Sequence, residues 1–567
     1  MKFLPSTLMA ALVPEDQMRR NVRALLKYLA FLVAVIALYT VLFHLIMWNV
    51  EGQRHSWISG IYWTLVTMTT LGYGDITFET DLGRAFSTVV LVSGIILLLV
   101  VLPYVFIRYF YAPWLEARIR QRAPRALPPE TAGHVILTTW DSIAPGLMAK
   151  LALRGVPCFV LEPDPVRAAE MSAEGVRVVT GELDARETYE RLRADRARLV
   201  VANAEDTTNT NIVLTVREVA PETPVAATAA LEESIDLLEL AGAAHVLALK
   251  KRLGEHLAGR VNAGHAEAHI VGSFGDLLIA EFPVHGTPFI GKDLRQIRLR
   301  ETTGLNVIGI WREARLHPPQ PDAILTEHCL PVVVGTRKQI ETLNELLVIY
   351  DTNWNPVLVL GGGKVGRSAT RALKAKGLTV HMIEKQEWLR SRIGDLPDRL
   401  FIGDAADRRL LEEAGILAAP SVLLTTNDDA MNIYLTVYCR RLTPALRIVS
   451  RITHDRNVDA IRRAGADLVL SYADLGVESI LSILLDRELV VLGEGVDLHQ
   501  IALPPSLVGK TLAESGIGAR TGLNVLALRS PAGEVTNPRV SQRLEAGGEL
   551  LMIGNNEQLE RFLQVYG

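Results

Sequence analysis

Two long apolar runs, followed by a twice-repeated alternation of short apolar strands with amphipathic stretches, divide the chain into parts that need different solvents. Residues 28–47, YLAFLVAVIALYTVLFHLIM, carry no formal charge apart from the titratable His44, and residues 85–107, AFSTVVLVSGIILLLVVLPYVFI, carry none between Arg84 and Arg108. A helix of ~20 residues spans the ~30 Å of a bilayer's hydrocarbon, so each run predicts a membrane crossing. The first run is too long and starts too far into the chain for a secretory signal peptide, and a second span follows it. Between them, WISGIYWTLVTMTT at 57–70 predicts a short re-entrant helix leading into the irregular Leu71-Gly72-Tyr73-Gly74-Asp75. Non-helical backbone at that depth is tolerated only where it lines a water-filled path or is buried in protein.

Basic residues flank the spans on their outer chain sides: Arg19, Arg20, Arg23 and Lys27 precede the first, and Arg108, Arg118, Arg120 and Arg122 follow the second. The intervening segment has Glu51, Asp75, Glu79 and Asp81 against Arg54 and Arg84, which places both termini in the cytoplasm. The expected location is the inner or plasma membrane. No apolar helix carries regularly spaced arginines, so gating charge in a voltage sensor is not expected. Gly94, midway along the second span, reads either as a gating hinge or as a close-packing position, and Pro103 is a second candidate bend.

Glycines at 72 and 74 permit backbone angles that turn successive carbonyls to one side, and dehydrated potassium needs oxygen ligands of that kind. Four chains have to converge to close such a ring. Thr69-Thr70-Leu71-Gly72-Tyr73-Gly74-Asp75, set between two spans, resembles the selectivity filter of the two-helix potassium channels. The resemblance covers about residues 28–112. It implies ion sites made by the carbonyls of Thr70, Leu71, Gly72 and Tyr73 with the Thr70 hydroxyl, and aromatic packing of Tyr62 and Trp63 around Tyr73. Leu71 stands where relatives usually have valine, a change that leaves the backbone ligand intact, and Val66 stands where several relatives carry an acid behind the filter.

From residue 134 the pattern repeats. HVILTTWDSIAPGLMAKLALRGVPCFVLEPD at 134–164 has the strand-turn-helix-strand plan of PVLVLGGGKVGRSATRALKAKGLTVHMIEKQ at 356–386, an offset of about 223 residues. AGAAHVL at 241–247 corresponds to AGADLVL at 464–470, and a smaller second module recurs as IGKDLRQIRLRETTGLNVIGI at 290–310 and VGKTLAESGIGARTGLNVLAL at 508–528. The expected architecture is a two-helix pore domain followed by two tandem Rossmann-like domains, each with a small α+β C-terminal lobe. Its divisions are an N-terminal cytoplasmic segment 1–27, pore 28–112, linker 113–133, first lobes 134–255 and 256–345, and second lobes 346–485 and 486–567.

In the later copy Gly361-x-Gly363-x-x-Gly366 follows the strand VLVL and opens a helix, with Lys364, Val365 and Arg367 around it and Glu384 ending the next strand. This arrangement suits a dinucleotide: a tight turn at Gly361, room for pyrophosphate at Gly363, close helix packing at Gly366, and free N–H groups for phosphate oxygens. Glu384 suits ribose hydroxyls and favours NAD or an adenine nucleotide such as ADP or ATP over NADP. Arg367 and Arg451 are candidate phosphate partners, and Asp404 is a candidate for the ribose or adenine side. The earlier copy has Thr138, Trp140 and Ile143 at the three glycine positions, so it is expected to be scaffold, with Glu162 and Glu182 as surface or capping acids. The pair resembles RCK domains, the regulators of potassium conductance, as found in prokaryotic ligand-gated channels. That resemblance implies a cytoplasmic ring in a homotetramer and regulation by nucleotide or calcium. Calcium has no EF-hand loop here; Glu281, Asp404, Asp428 and Asp429 are scattered candidates without an assigned site.

Composition adds few constraints. With 49% apolar and 22% charged residues, and 59 basic against 63 acidic side chains, a formal charge of -4 gives no global attraction to nucleic acid. Three cysteines without ligand spacing make disulfides and zinc improbable. No nucleophile, metal cluster or organised His–acid pair accompanies the glycine loop, so a membrane-tethered NAD-dependent oxidoreductase is disfavoured and no enzymatic activity is expected. A regulatory subunit of a separate potassium transporter is the other alternative, but it leaves LGYGD unexplained.

Overall fold

A computed structural model describes residues 15–112, 124–261, 263, 267–347, 353–486, 489–491, 496–531, 535–536 and 538–567. The start of the expected N-terminal segment, 1–14, and most of the expected linker, 113–123, lie outside the described residues. Internal contacts divide the chain into two units, residues 1–125 with 162–181 and residues 126–161 with 182–567.

In the first unit, helix Glu15–Asn49 carries the first apolar run. It starts well before residue 28, so the basic stretch from Arg19 to Lys27 continues the span instead of forming a separate segment. Membrane-length apolar helix extends over Arg23–Asn49 and Asp81–Tyr109. The re-entrant helix is Trp57–Met68, begun by the Ser56 hydroxyl, which accepts from the Ser59 N–H at 3.2 Å. The second long helix starts at Asp81 behind Thr80. Glu51 accepts from the Thr80 hydroxyl at 2.7 Å and its N–H at 3.0 Å, tying the entry of one span to the exit of the other. Phe43, Met47, Trp63, Met68, Phe78 and Val90 form the core between the three helices.

The second long helix is regular to Gly94, winds with wider π-type turns over Ile95–Val101, returns to α geometry at Leu102–Phe106, and widens again over Ile107–Tyr111. Pro103 sits in the first turn of the Leu102–Phe106 segment. It lacks an N–H and crowds the turn before it, and a wider turn accommodates both defects. Pro103, the second candidate bend, thus lies where the winding changes from π-type to α.

The second unit holds the repeats. In the first α/β lobe, Cys158–Glu162, Val135–Leu137, Leu199–Ala202, Val225–Thr228 and His245–Leu247 lie side by side in parallel. The second lobe has β1 (Val357–Leu360), β2 (Val380–Glu384), β3 (Arg399–Ile402), β4 (Ser421–Leu424), β5 (Arg447–Ile452) and β6 (Leu468–Ser471), ordered 3-2-1-4-5-6. β1, VLVL, is buried along its whole length, as a central strand covered on both faces by helices must be. The reversal of strand order beside β1 opens a crevice at the carboxyl ends of β1 and β4.

The duplication extends to single side chains. Arg217 donates to the carbonyls of Gly242, Pro221 and Thr223, and Arg440 donates to those of Gly465, Pro444 and Leu446. Each C-terminal lobe is an antiparallel sheet, and in each a capping box opens the helix after the Gly-Lys dipeptide, Asp293 with Gln296 and Thr511 with Glu514. Helices Leu249–Ala258 and Arg337–Leu347 run through the boundaries expected at 255/256 and 345/346. Helical periodicity continues through both positions although composition changes there.

One buried pair sets an acid limit on this unit. His256, on helix Leu249–Ala258, and His269, on strand His269–Phe274, meet edge to face at 5.8 Å. Burial, and then Arg260 and Arg252, push His256 down to about 3. Burial, then Arg260 and Lys376, push His269 down to about 2. Both are neutral in the folded protein, whereas an unfolded histidine takes up a proton below ~6.5. Stability is therefore full above that pH and falls as the pH drops towards the folded values. Thermal unfolding of the full chain between pH 7.5 and 4.5 is expected to lose up to ~1.4 kcal/mol per pH unit for each histidine. His269→Gln should flatten that dependence, and an unchanged slope would remove His269 from it.

Candidate functional site

In the segment expected to form the ion path the sign of φ alternates from residue to residue. Thr70, Gly72 and Gly74 have φ of +61°, +52° and +79°, while Leu71 and Tyr73 between them are not among the positive-φ residues. Alternation of positive and negative φ turns successive peptide planes, the kind of backbone that can bring consecutive carbonyls to one side. Leu71 is 61% and Tyr73 67% exposed in the single chain, an arrangement that leaves apolar surface waiting for neighbours. Tyr62 is within hydrogen-bonding reach of Asp75. Trp63 instead turns inside its own chain, stacking on Phe43 at 5.0 Å and Phe86 at 5.7 Å and meeting Phe78 edge-on. Of the two aromatics expected around Tyr73, Trp63 is packed within its own chain and braces the re-entrant helix from behind. Gly94 sits where a Cβ would lie 2.4 Å from Met68 Cα and 2.6 Å from Met68 O. Its backbone is ordinary right-handed helix, and in this conformation it packs closely against the end of the re-entrant helix.

The second α/β lobe holds a cavity of about 840 Å³ at the carboxyl ends of its strands. Of the nine residues expected there, Gly361, Gly363, Lys364, Val365, Arg367, Glu384, Asp404 and Arg451 line it. The ninth, Gly366, lies behind the loop: a Cβ there would stand 1.9 Å from the Gly361 carbonyl oxygen and 2.8 Å from Thr425 Oγ1. Gly361 itself has φ of +109°. At Gly363 a Cβ would meet nothing within 4 Å, so the space in front of it is free. Gly363 caps helix Lys364–Ala375 without any side-chain hydrogen bond, leaving first-turn N–H groups for a ligand. Glu384 accepts from the Gly362 N–H at 2.6 Å and the Gln386 N–H at 2.7 Å, and each oxygen retains a second lone pair for a hydroxyl.

Charge around the cavity is unbalanced. Lys250, Lys364, Arg367, Lys385, Arg392 and Arg451 face Glu384, Asp404 and Asp428. Two of these acids are already engaged: Asp404 pairs with Lys385 at 2.8 Å, and Asp428 caps helix Asp429–Leu442. Burial, then Arg371 and Arg392, hold Arg367 below the usual arginine range, and burial does the same to Arg451. Arg451 donates to Asn427 Oδ1 at 3.1 Å and Thr453 Oγ1 at 2.7 Å, and its buried Nε has no partner among the described residues. An anion bound here would relieve both the burial and the mutual repulsion.

The first lobe has closed the equivalent place. Asp141, in register with Lys364, accepts from the Ile143 and Ala144 N–H groups at 3.0 and 3.2 Å, so a carboxylate occupies the helix start that a phosphate would need. Burial pushes that carboxyl up. Asn203 stitches Thr138 and Thr139 together in front of it. Asp141 is thus the feature that distinguishes this loop from the open one at Gly361–Gly366.

Residues 135–249 and 357–472 match the TrkA-N domain, residues 279–348 and 498–567 the TrkA-C domain, and residues 30–111 the ion channel family. The solved GsuK channel bound to NAD is 36% identical, with 96% of this chain and 99% of that one covered at a TM-score of 0.57. The chain belongs to the two-transmembrane potassium channels with tandem RCK domains. The crystal structure of the GsuK RCK domain aligns at 34% identity over 80% of this chain and 99% of that one, with a TM-score of 0.57. Potassium channel protein 1 of Methanocaldococcus jannaschii is 25% identical over 217 residues, 36% of this chain and 65% of that protein. TrkA of Halomonas elongata is 24% identical over 211 residues, which span 45% of its length. This RCK channel is thus a multi-pass membrane protein of the inner or plasma membrane.

Within this RCK channel, two of the calcium candidates, Asp404 and Asp428, line the cavity, and the other two are engaged elsewhere. Glu281 is buried against Arg260 at 2.7 Å and Trp311 Nε1 at 2.9 Å. Asp429 accepts from Asn457, Thr453 and His454; burial raises its carboxyl, but those bonds outweigh it and hold the group low. Among the described residues no three His, Cys, Asp or Glu side chains cluster as a metal site. Sequence reasoning missed Lys250, Trp388 and Arg392 of the cavity. Trp388, four residues after Glu384, is 61% exposed at the cavity with Arg392 over its ring at 5.3 Å. An aromatic that close behind the acid was a readable signal for a base-stacking surface; Lys250 had none, because it lies in the other repeat.

Proposed function

We propose that four copies of this chain form a potassium-selective channel whose gating is set by a nucleotide, NAD or ADP, bound in the cavity of the second α/β lobe. The observation that carries the reading is the Thr70–Gly74 backbone, alternating in handedness and exposing Leu71 and Tyr73 between two membrane-length helices. Carbonyls of Thr70, Leu71, Gly72 and Tyr73 from each copy, with the Thr70 hydroxyl, replace the ion's water shell. The uncapped helix start at Gly363 takes the pyrophosphate, Glu384 the ribose, and the surplus of cations the phosphate charge. NAD is the ligand of the GsuK relative, and the acid at 384 disfavours the extra phosphate of NADP. Both termini are cytoplasmic, and the ring moves the pore to the extent that nucleotide binds one of its conformations better than the other. A transporter-subunit reading leaves the ion channel match at 30–111 without a task.

Flux from purified full chain in liposomes tests this, with potassium or sodium as the permeant ion and NAD, ADP or NADP added singly. Potassium flux that exceeds sodium flux and responds to NAD or ADP is expected. No selective potassium flux in any condition would overturn the reading, and selective flux indifferent to every nucleotide would overturn its gating half.

A further inference from the structure

The cavity has a wall that does not belong to its own lobe. Lys250 lines it together with Gly363, Lys364 and Arg451, yet it stands at the start of helix Leu249–Ala258, directly after the last strand of the first α/β lobe. That helix lies against Lys364–Ala375, the helix that springs from the glycine loop, and the Ser368 hydroxyl donates to the Lys251 carbonyl at 2.7 Å to fix the pair. Lys250 is thereby held at the mouth of the phosphate-binding turn by packing, independent of any ligand.

Its charge has no counterpart. Among the described residues no hydrogen bond or ion pair reaches its ammonium. Burial, then Lys364 and Arg451, pull the ammonium below the usual lysine range, and the acid that opposes them is Asp206. Asp206 is committed elsewhere, accepting from the Ala230 and Leu231 N–H groups at 2.8 and 3.0 Å. The neighbouring Lys251 differs on every point: its ammonium pairs with Glu232 at 2.6 Å and its pKa is raised by that bond. At the equivalent position of the other repeat stands Ala473, and the opposed lobe there has the closed, Asp141-capped loop. The cation is present where the helix start is open and absent where it is closed.

We infer that Lys250, from the first lobe, is a phosphate ligand of the second lobe's nucleotide site, so that a bound diphosphate bridges the two lobes. This rests on the nucleotide reading of the cavity. A phosphate held by the Gly363 turn and by Lys250 together ties the glycine loop to helix Leu249–Ala258 of the repeat that comes first in the chain. Occupancy is thereby transmitted through charge-assisted bonds and not through the second lobe alone.

Binding of NAD, ADP and adenosine to the full chain in lipid nanodiscs, measured by calorimetry, tests it. Lys250→Met should weaken NAD and ADP about tenfold or more while leaving adenosine within about twofold, since adenosine lacks the phosphates. Lys250→Arg should recover most of the loss, and Lys251→Met should change nothing. Unchanged NAD and ADP binding by Lys250→Met, with the unsubstituted chain binding normally, would overturn the inference and leave the nucleotide reading standing. An equal loss for adenosine would overturn the phosphate assignment. If the unsubstituted chain binds neither NAD nor ADP, the reading of the cavity falls and the inference falls with it.

Discussion

Gly363→Ala and Gly366→Ala, three residues apart in one loop, are expected to abolish the nucleotide response by different routes. At Gly366 a methyl would stand 1.9 Å from the Gly361 carbonyl oxygen, a backbone atom held in place because Thr425 Oγ1 donates to it at 2.8 Å. Relief requires helix Lys364–Ala375 to move away from the loop, and overpacking of that kind costs about 1–3 kcal/mol. Gly366→Ala should therefore lower the unfolding temperature of the cytoplasmic unit as well as nucleotide affinity. At Gly363 the methyl meets no protein atom within 4 Å, and φ of −65° with ψ of −173° is open to any residue. Gly363→Ala should fold with unchanged stability and fail at the ligand, because the methyl occupies the space through which pyrophosphate approaches the free N–H groups. A fall in NAD affinity of about 100-fold, ~2.7 kcal/mol, is expected for each, with basal potassium selectivity retained. Calorimetry beside thermal unfolding separates the two. Unaltered binding by Gly363→Ala would mean that no phosphate sits over this turn.

That pair of glycines shows how much of the site was legible. Spacing after a buried VLVL strand was enough to assign a task to each glycine, since a strand-turn-helix unit leaves few backbone solutions. The two spans, the re-entrant helix and the repeats were legible for the same reason: each is a local pattern with one physical solution. What sequence could not supply was the partner across a fold. Lys250 reaches the cavity through the packing of helix Leu249–Ala258 of one repeat on helix Lys364–Ala375 of the other, and no local spacing encodes that. Asp141 was equally hidden, although it aligns with Lys364, because its carboxylate matters only once it turns onto the N–H groups of its own helix start. Trp63 was not legible because an aromatic on a short helix can face a neighbouring chain or its own, and in the fold it packs on Phe43, Phe78 and Phe86 of its own.

Replacing Gly94 is expected to disable the pore itself. The second span crosses the re-entrant helix so closely there that a Cβ would lie 2.4 Å from Met68 Cα, 2.6 Å from Met68 O and 2.7 Å from Met68 Cβ. Small residues at such crossings let backbones approach in a membrane, where packing replaces the hydrophobic drive between helices. Met68 is the last residue of the re-entrant helix, and Thr69 and Thr70 follow it into the filter. Any shift that admits a larger side chain at 94 is thus passed within two residues to Thr70, the first carbonyl of the proposed ion path. Gly94→Val should abolish selective potassium flux and lower the thermal stability of the assembled protein, and Gly94→Ala should do so in milder form. A purely hinge-like role makes the opposite forecast: alanine stiffens the helix, selectivity and stability survive, and open probability alone falls. Flux ratios for potassium over sodium, with unfolding temperatures for both variants, decide between them. Preserved selectivity with intact stability in Gly94→Val would refute the packing role.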